Sequence, residues 1–389
     1  MRTPGQAVSL SPAQAGLQSL ATGSVGAALL AVEQALNGSG DWISAHQLVK
    51  QVASAPVDAA AHTGLYYGAP AVLFLLHAAT ADGHERYTAA RKALDGHVRR
   101  NIRERLSNAE DRLRAGRPAV FAEYDLFYGL TGYGALLLQY APGSAELGDV
   151  LAYLVRLTHP RTDDGQQVPG WWVDHDPDAL LPTPGGHANF GMAHGAAGIL
   201  ALLALSTRQG RQVDGQTEAI ARLCAWYDRW QQESEDGPWW PQWLTREELH
   251  SGVPTVRVAG RPSWCYGTPA IARALQLAAI ATGQRTRQRA AETALTACLS
   301  GPQLNRITDP GLCHGWAGLH QTAYRAASDA FTQDLAAILS ALAERLAHCA
   351  ADPGDNGFLT GHTGLVLAQQ AARTCAPPQT RWDTCLLLT

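Results

Sequence analysis

The stretch Gly311-Leu312-Cys313-His314-Gly315-Trp316-Ala317-Gly318 leads straight into a helical-looking run, LHQTAYRAA. Its last four residues are one copy of a device that recurs along the chain: Gly-x-x-Gly or Gly-x-x-Ala, followed by an apolar helical segment. The other copies begin at Gly23, Gly68, Gly129, Gly195, Gly267 and Gly361. That makes seven, with successive first glycines 45, 61, 66, 72, 48 and 46 residues apart. Self-similarity on this scale marks an architecture built from one supersecondary unit.

Between copies lie more polar segments, at 84–107, 216–232, 284–300 and 329–350, whose apolar residues fall at the three-to-four spacing of an amphipathic helix. The unit is therefore a helix pair, an inner helix apolar nearly all round and an amphipathic outer one. Strand-like alternation is scarce, with 255–258 the exception. Glycine at each inner start lets backbones approach closely and permits positive φ. Pro70 and Pro269 fall in a first helical turn, where a missing N–H costs little. If the inner helices converge, their N-terminal ends crowd round one centre. The expected fold is all-α: an α/α toroid of seven helical hairpins with inner and outer rings, one domain over residues 1–389. An open solenoid would show more regular periods and polar end caps.

Composition points the same way. Apolar residues make up 46% and charged residues 16% of the chain, well short of the usual quarter, so much of it is buried. The net charge is −4 and the densest basic run is only RRNIRER at 99–105, which argues against a nucleic-acid partner. The N-terminal MRTPGQAVSLSPAQAG lacks the apolar core of a signal peptide. No run approaches the roughly 18 apolar residues of a membrane span. A cytoplasmic protein is expected. Seven cysteines, an odd number spread over a long chain, do not form a disulfide framework. Cys224, Cys298 and Cys349 sit in Ala/Leu-rich helical runs, where a free Cys behaves as a small hydrophobe. Cys375 and Cys385 lie near the C-terminus, where exposure is open to them.

Two long loops interrupt the repeat, at about 159–190 and 234–263, and loops of such length usually carry function. They hold Trp171, Trp172, Trp239, Trp240 and Trp243. Two readings stay open: an apolar lip for a peptide, or a cover over the end of the core.

Reactive side chains cluster at four of the seven helix starts. Tyr124-Asp125 precede Gly129, His194 precedes Gly195, Arg261 and Trp264-Cys265-Tyr266 precede Gly267, and Cys313-His314 precede Gly315. In a toroid, equivalent positions converge on one mouth. Cys265, Cys313 and His314 would then offer zinc two thiolates and one imidazole, and three protein ligands with an open position describe a catalytic site. An external thiol at that position would lose its proton near neutral pH. His194 is the natural proton handler, with Asp125 to orient it, and Arg261 could stabilise an enolate-like anion. Plainer readings stand beside these. Asp125 could simply cap its helix, Trp264 and Tyr266 could pack around the metal, and His187, His320 and His362 are taken as structural. The helical pair His348-Cys349 is a control with no metal role.

At these residues the sequence resembles the lanthionine synthetase C-like family of lanthipeptide cyclases. The resemblance rests on Ala193-His194-Gly195, Ser263-Trp264-Cys265-Tyr266-Gly267 and Cys313-His314-Gly315, in that order, with Tyr124-Asp125 ahead of Gly129-Leu130-Thr131-Gly132. It covers essentially the whole chain and implies the same α/α toroid. By position it implies that Cys265, Cys313 and His314 are the ligands of one Zn2+. It makes His194 and Asp125 the acid/base pair, and Arg261 and Tyr266 further catalytic positions. The implied activity is Michael addition of peptide cysteine thiols to dehydroalanine or dehydrobutyrine, giving lanthionine or methyllanthionine rings in a dehydrated precursor peptide. A separate dehydratase and an exporter are implied as further partners. With no dehydratase or kinase-like region in this sequence, the expectation is a stand-alone cyclase. Tyr266 after Cys265 resembles the bacterial form, since eukaryotic relatives usually carry His there. The alternatives are a glutathione-adding relative with the same zinc chemistry and a non-catalytic peptide-binding scaffold. A toroidal glycosidase would need a carboxylate partner for Asp125 at an equivalent repeat position, and none is evident.

Overall fold

Each apolar run behind a Gly-x-x-Gly becomes a helix because nothing in it opposes one: Ala and Leu dominate, and the only prolines lie in first turns. A computed structural model describes residues 10–389 except Ala55, Ala179, Ser300 and Pro353. The stretch 1–9 read above for a signal peptide, and the far end of the segment expected at 284–300, fall outside the described residues. In chain order the ring helices are α1 (Ser24–Leu36), α2 (Trp42–Val52), α3 (Ala69–Ala78), α4 (Thr88–Arg114), α5 (Leu130–Tyr140), α6 (Ala145–Leu157) and α7 (Ala196–Arg208). They continue as α8 (Gln216–Trp230), α9 (Thr268–Ala281), α10 (Arg285–Cys298), α11 (Trp316–Asp329), α12 (Asp334–Ala347) and α13 (His362–Thr374). The odd-numbered helices form the inner ring. Each packs on the next, and α13 closes the circle on α1. The even-numbered helices lie outside, each packed on the inner helix before it. This is an α/α toroid.

Burial follows the two roles. In α7 every residue from Ala196 to Ser206 is buried, whereas α4, twice as long, buries six. After α13 the chain turns inward. Residues Trp382–Leu386 form a buried 3₁₀ turn bonded to inner helices from well-separated repeats. Arg273 of α9 donates to the Leu388 carbonyl (2.7 Å), and Arg325 of α11 pairs with Asp383 (2.5 Å). Tyr66 donates to the Cys385 carbonyl (2.8 Å) and Trp264 to that of Leu386 (3.0 Å). The final turn thus fills the middle of the ring. It buries Cys385, while Cys375 is exposed.

The glycines act through space more than through φ. Among the seven inner-helix N-caps only Gly68 has positive φ, at +74°, and the other six are extended. What the site needs is close approach. A Cβ on Gly318 would stand 1.9 Å from the Leu312 carbonyl oxygen, and one on Gly364 would stand 1.8 Å from that of Phe358. Those carbonyls belong to the loop that folds over the helix start and caps it without a side chain: Trp316, Ala317 and Gly318 donate to the carbonyls of Asp309, Pro310 and Gly311. We expect Gly318→Ala to lower stability by about 2–3 kcal/mol, as overpacking against fixed backbone does. Gly96→Ala, on the open face of α4 where a Cβ meets nothing within 4 Å, should raise it by about 0.5–1 kcal/mol. Denaturant midpoints of the two variants check both signs.

The two long loops carry small elements. Strands β1 (Arg161–Asp163) and β2 (Gln166–Val168) form an antiparallel hairpin, and β3 (His187–Asn189) pairs with β4 (Trp243–Thr245). The expected strand-like segment at 255–258 is not a strand, since its backbone finds no partner strand. Trp171, Trp172, Trp239 and Trp240 are at most 3% exposed, so these tryptophans cover the core. The exposed apolar residues of the same loops are aliphatic: Leu180, Leu181, Val253, Val256 and Val258. No helix of the described residues is long and apolar enough to cross a membrane.

Candidate metal centre and acid–base pair

The helix-start glycines set a common register, and backbone hydrogen bonds tie neighbouring repeats together at one level of it. The residues two before each first glycine are Ala21, Tyr66, Phe127, Ala193, Cys265, Cys313 and Leu359. The Ala193 N–H donates to the Cys265 carbonyl (3.3 Å), Cys265 to Cys313 (3.0 Å), Cys313 to Leu359 (2.8 Å) and Leu359 to Ala21 (3.0 Å). Leu126 donates to Ala193 and Leu20 to Tyr66 in the same belt (3.1 and 2.9 Å). Cys265 and Cys313, 48 residues apart in sequence, are therefore neighbours held by their own backbones.

Their sulfurs and a ring nitrogen of His314 all lie within 4.8 Å of one another, a set that could hold a metal ion. Cys265 is buried, while Cys313 and His314 are partly open. The hydrogen bond from Cys313 holds Cys265 well below the usual thiol range, despite burial, and the same bond together with burial pushes Cys313 up. His314 is raised, chiefly by its hydrogen bond with Cys265. Arg261 is half-buried, and its positive charge favours a thiolate at Cys313 and disfavours a proton on His314.

Beside this cluster stands His194, one position nearer its glycine than the cysteines are to theirs. Its Nδ1 lies 2.5 Å from Asp125 Oδ2. The other carboxylate oxygen, Oδ1, accepts the N–H groups of Tyr128 (2.7 Å) and Gly129 (2.8 Å) at the entry to α5. Asp125 is not the cap of α5, whose N-cap is Gly129 with no side-chain bond; it fixes the loop before the helix with one oxygen and meets His194 with the other. The side chain of Asp125 is fully buried and that of His194 is 21% exposed, so the pair sits at the wall with its histidine outward. The imidazole is stacked on Phe121 and Phe127, each 5.0 Å away between centroids. With Nδ1 committed to Asp125, Nε2 is the nitrogen left for chemistry. Tyr266 lies 6.2 Å from His194 between ring centroids, and burial pushes its phenol well up, so it stays protonated at neutral pH.

The remaining histidines separate cleanly. Burial lowers His187 and His320 to about 4, which keeps both neutral, and His362 is exposed at the first turn of α13. His348 bonds the Glu344 carbonyl through Nδ1, away from any thiol cluster. Trp264 is fully buried and gives its indole N–H to the closing turn. Reading the sequence missed Phe121, Phe127 and Asp309. The phenylalanines carry no sequence signal beyond their nearness to Asp125. Asp309 does carry one, because Asn189-x-Gly191, Asp309-x-Gly311 and Asp355-x-Gly357 each begin six residues before a helix-start glycine.

Comparison with known proteins agrees with this construction. The model of the family described as lanthionine synthetase C-like protein matches residues 16–387. Nisin biosynthesis protein NisC of Lactococcus lactis subsp. lactis is 24% identical over 262 residues, or 66% of this chain, and the match spans 60% of that relative's length. A solved structure of nisin cyclase aligns with a TM-score of 0.79 at 20% identity, covering 96% of this chain and 92% of the other, which shows a common fold. Toroid, register and family match converge: the chain belongs to the lanthionine synthetase C-like family.

Proposed function

We propose that this protein is a zinc-dependent lanthipeptide cyclase that closes thioether rings in a dehydrated precursor peptide. The observation that carries the reading is the convergence of Cys265, Cys313 and His314 within 4.8 Å beside the His194–Asp125 pair. Two sulfurs and one imidazole suit zinc, a borderline-soft ion that tolerates tetrahedral sites with an open position. Cys265 is already biased toward the thiolate, the form a metal requires. Zinc bound by Cys265, Cys313 and His314 would supply a Lewis acid that makes an incoming cysteine thiol acidic near neutral pH.

The protein's own groups account for the rest. The peptide thiol gives up its proton to His194 Nε2, and its sulfur bonds the β-carbon of a dehydroalanine or dehydrobutyrine. The carbon–carbon π pair moves toward the carbonyl, forming an enolate. Arg261 and the protonated Tyr266 phenol face that developing negative charge. His194, held by Asp125 and the two phenylalanines, presents Nε2 to return a proton to the α-carbon. Atoms balance, so the peptide's mass does not change. The substrate class is read from the nisin relatives together with this site, and reduced thiols fit a cytoplasmic setting. A dehydratase must act before this step, because it supplies the alkene, and an exporter would act after it.

Competition separates this reading from glutathione addition. With a dehydrated, cysteine-containing peptide and excess glutathione, the chain should consume the peptide thiol and leave the peptide mass unchanged. A product heavier by one glutathione would favour the other reading, and peptide thiols that persist equally with and without protein would support the scaffold.

A further inference from the structure

The Asx-x-Gly turn shared by repeats four, six and seven does the same backbone work in each. Oδ1 of Asn189, Asp309 and Asp355 accepts the N–H of Gly191, Gly311 and Gly357 at 2.9, 2.7 and 2.9 Å. An amide serves this purpose as well as a carboxylate, as Asn189 shows. The second oxygen is then free, and in the two aspartate repeats it faces the side chain just before the helix-start glycine. Asp355 Oδ2 accepts the Thr360 hydroxyl at 3.0 Å, and Asp309 Oδ2 stands 3.3 Å from His314 Nε2. His314 and Thr360 are equivalent positions, one a candidate ligand and the other not.

We propose that Asp309 is a positioning residue for the metal centre: its free oxygen takes the Nε2–H of His314, leaving Nδ1 to face Cys265 and Cys313. The inference rests on the zinc reading given above. Asp309 itself is outside the ligand set, because the atoms that lie mutually within 4.8 Å are those of Cys265, Cys313 and His314 alone among the described residues. A metal-ligating histidine generally gives its second N–H to a carboxylate or carbonyl, which fixes its tautomer and raises its basicity, and loss of that partner weakens metal binding roughly 10–100-fold. Asp309 also carries a negative charge toward His314 and Cys313, opposing the positive charge of Arg261 across the same pair.

Asp309→Asn isolates the second oxygen, since the turn it must keep is the one Asn189 already makes. Zinc affinity of the full chain, measured by competition with a chromophoric chelator, should fall about 10–100-fold in Asp309→Asn. Asp355→Asn, the same change in repeat seven, should leave that affinity unchanged. Cobalt-loaded wild type and Asp309→Asn should keep equal thiolate-to-metal charge-transfer bands, because no ligand is lost. Equal zinc affinity in Asp309→Asn and wild type would overturn the inference while the zinc reading stands, and so would an equal fall in Asp355→Asn. Altered ligand-field bands in Asp309→Asn would make Asp309 a fourth ligand and overturn the positioning role. Wild type that binds no zinc would sink the parent reading along with it.

Discussion

Cys313→Ala should yield a folded protein that no longer retains zinc and no longer closes rings. The backbone of residue 313 is held from both sides, its N–H on the Leu359 carbonyl and its carbonyl taking the Cys265 N–H, so the belt survives truncation of the side chain. What goes is one of the two thiolate donors and the neighbour that does most to bias Cys265 toward the thiolate. Loss of an outer-shell partner costs roughly 10–100-fold in metal affinity, and loss of a ligand must exceed that. Zinc per chain, about one in wild type, should fall near zero by elemental analysis, and cyclisation should fall by more than about 100-fold. The control is Cys349→Ala, which removes the other Cys–His neighbour pair. Cys349 bonds only the Arg345 carbonyl through its sulfur, so zinc content and activity should not move. Zinc retained by Cys313→Ala at wild-type stoichiometry would contradict the assignment.

His194→Ala should show the complementary pattern, with full zinc and slow chemistry. Removing a positioned proton-transfer group typically costs 10²–10⁴-fold in rate. Asp125→Asn should follow it. The amide oxygen can go on accepting from Tyr128 and Gly129, but its NH2 then meets Nδ1, so the imidazole must hold its proton on Nε2 and turn the wrong tautomer to the substrate. Both variants should keep wild-type zinc affinity, since neither residue is in the thiol cluster. Rates of ring closure at saturating peptide, beside zinc content, check this. A His194→Ala rate within about threefold of wild type would remove it from the acid/base role.

The fold was legible because one short motif recurs: glycine is needed wherever a loop carbonyl presses on an inner-helix start, and the apolar run behind it cannot be anything but buried. Cys265, Cys313, His314 and His194 could be brought together from sequence by counting from those glycines. The outer helices Trp42–Val52 and Ala145–Leu157 were not anticipated, being short amphipathic segments without a repeat marker. The sequence could not choose between a peptide lip and a core cover for the tryptophan loops, because an indole's burial is decided by what folds over it. The inward closing turn was hidden for the same reason. Its carbonyls are claimed by Tyr66, Trp264 and Arg273, residues hundreds of positions upstream in the first case and more than a hundred in the others. Asp309 was overlooked because a turn-building aspartate and a histidine-orienting one look alike until the second oxygen is placed.

The central claim is that the register of these repeats builds a thiol-activating site for a dehydrated peptide. The most direct test is to incubate such a peptide with the zinc-loaded chain, alkylate the remaining thiols and weigh the product. The account predicts an unchanged peptide mass with alkylatable thiols consumed, and no such loss with Cys313→Ala. Thiols fully alkylatable after incubation with the zinc-loaded wild type would contradict it.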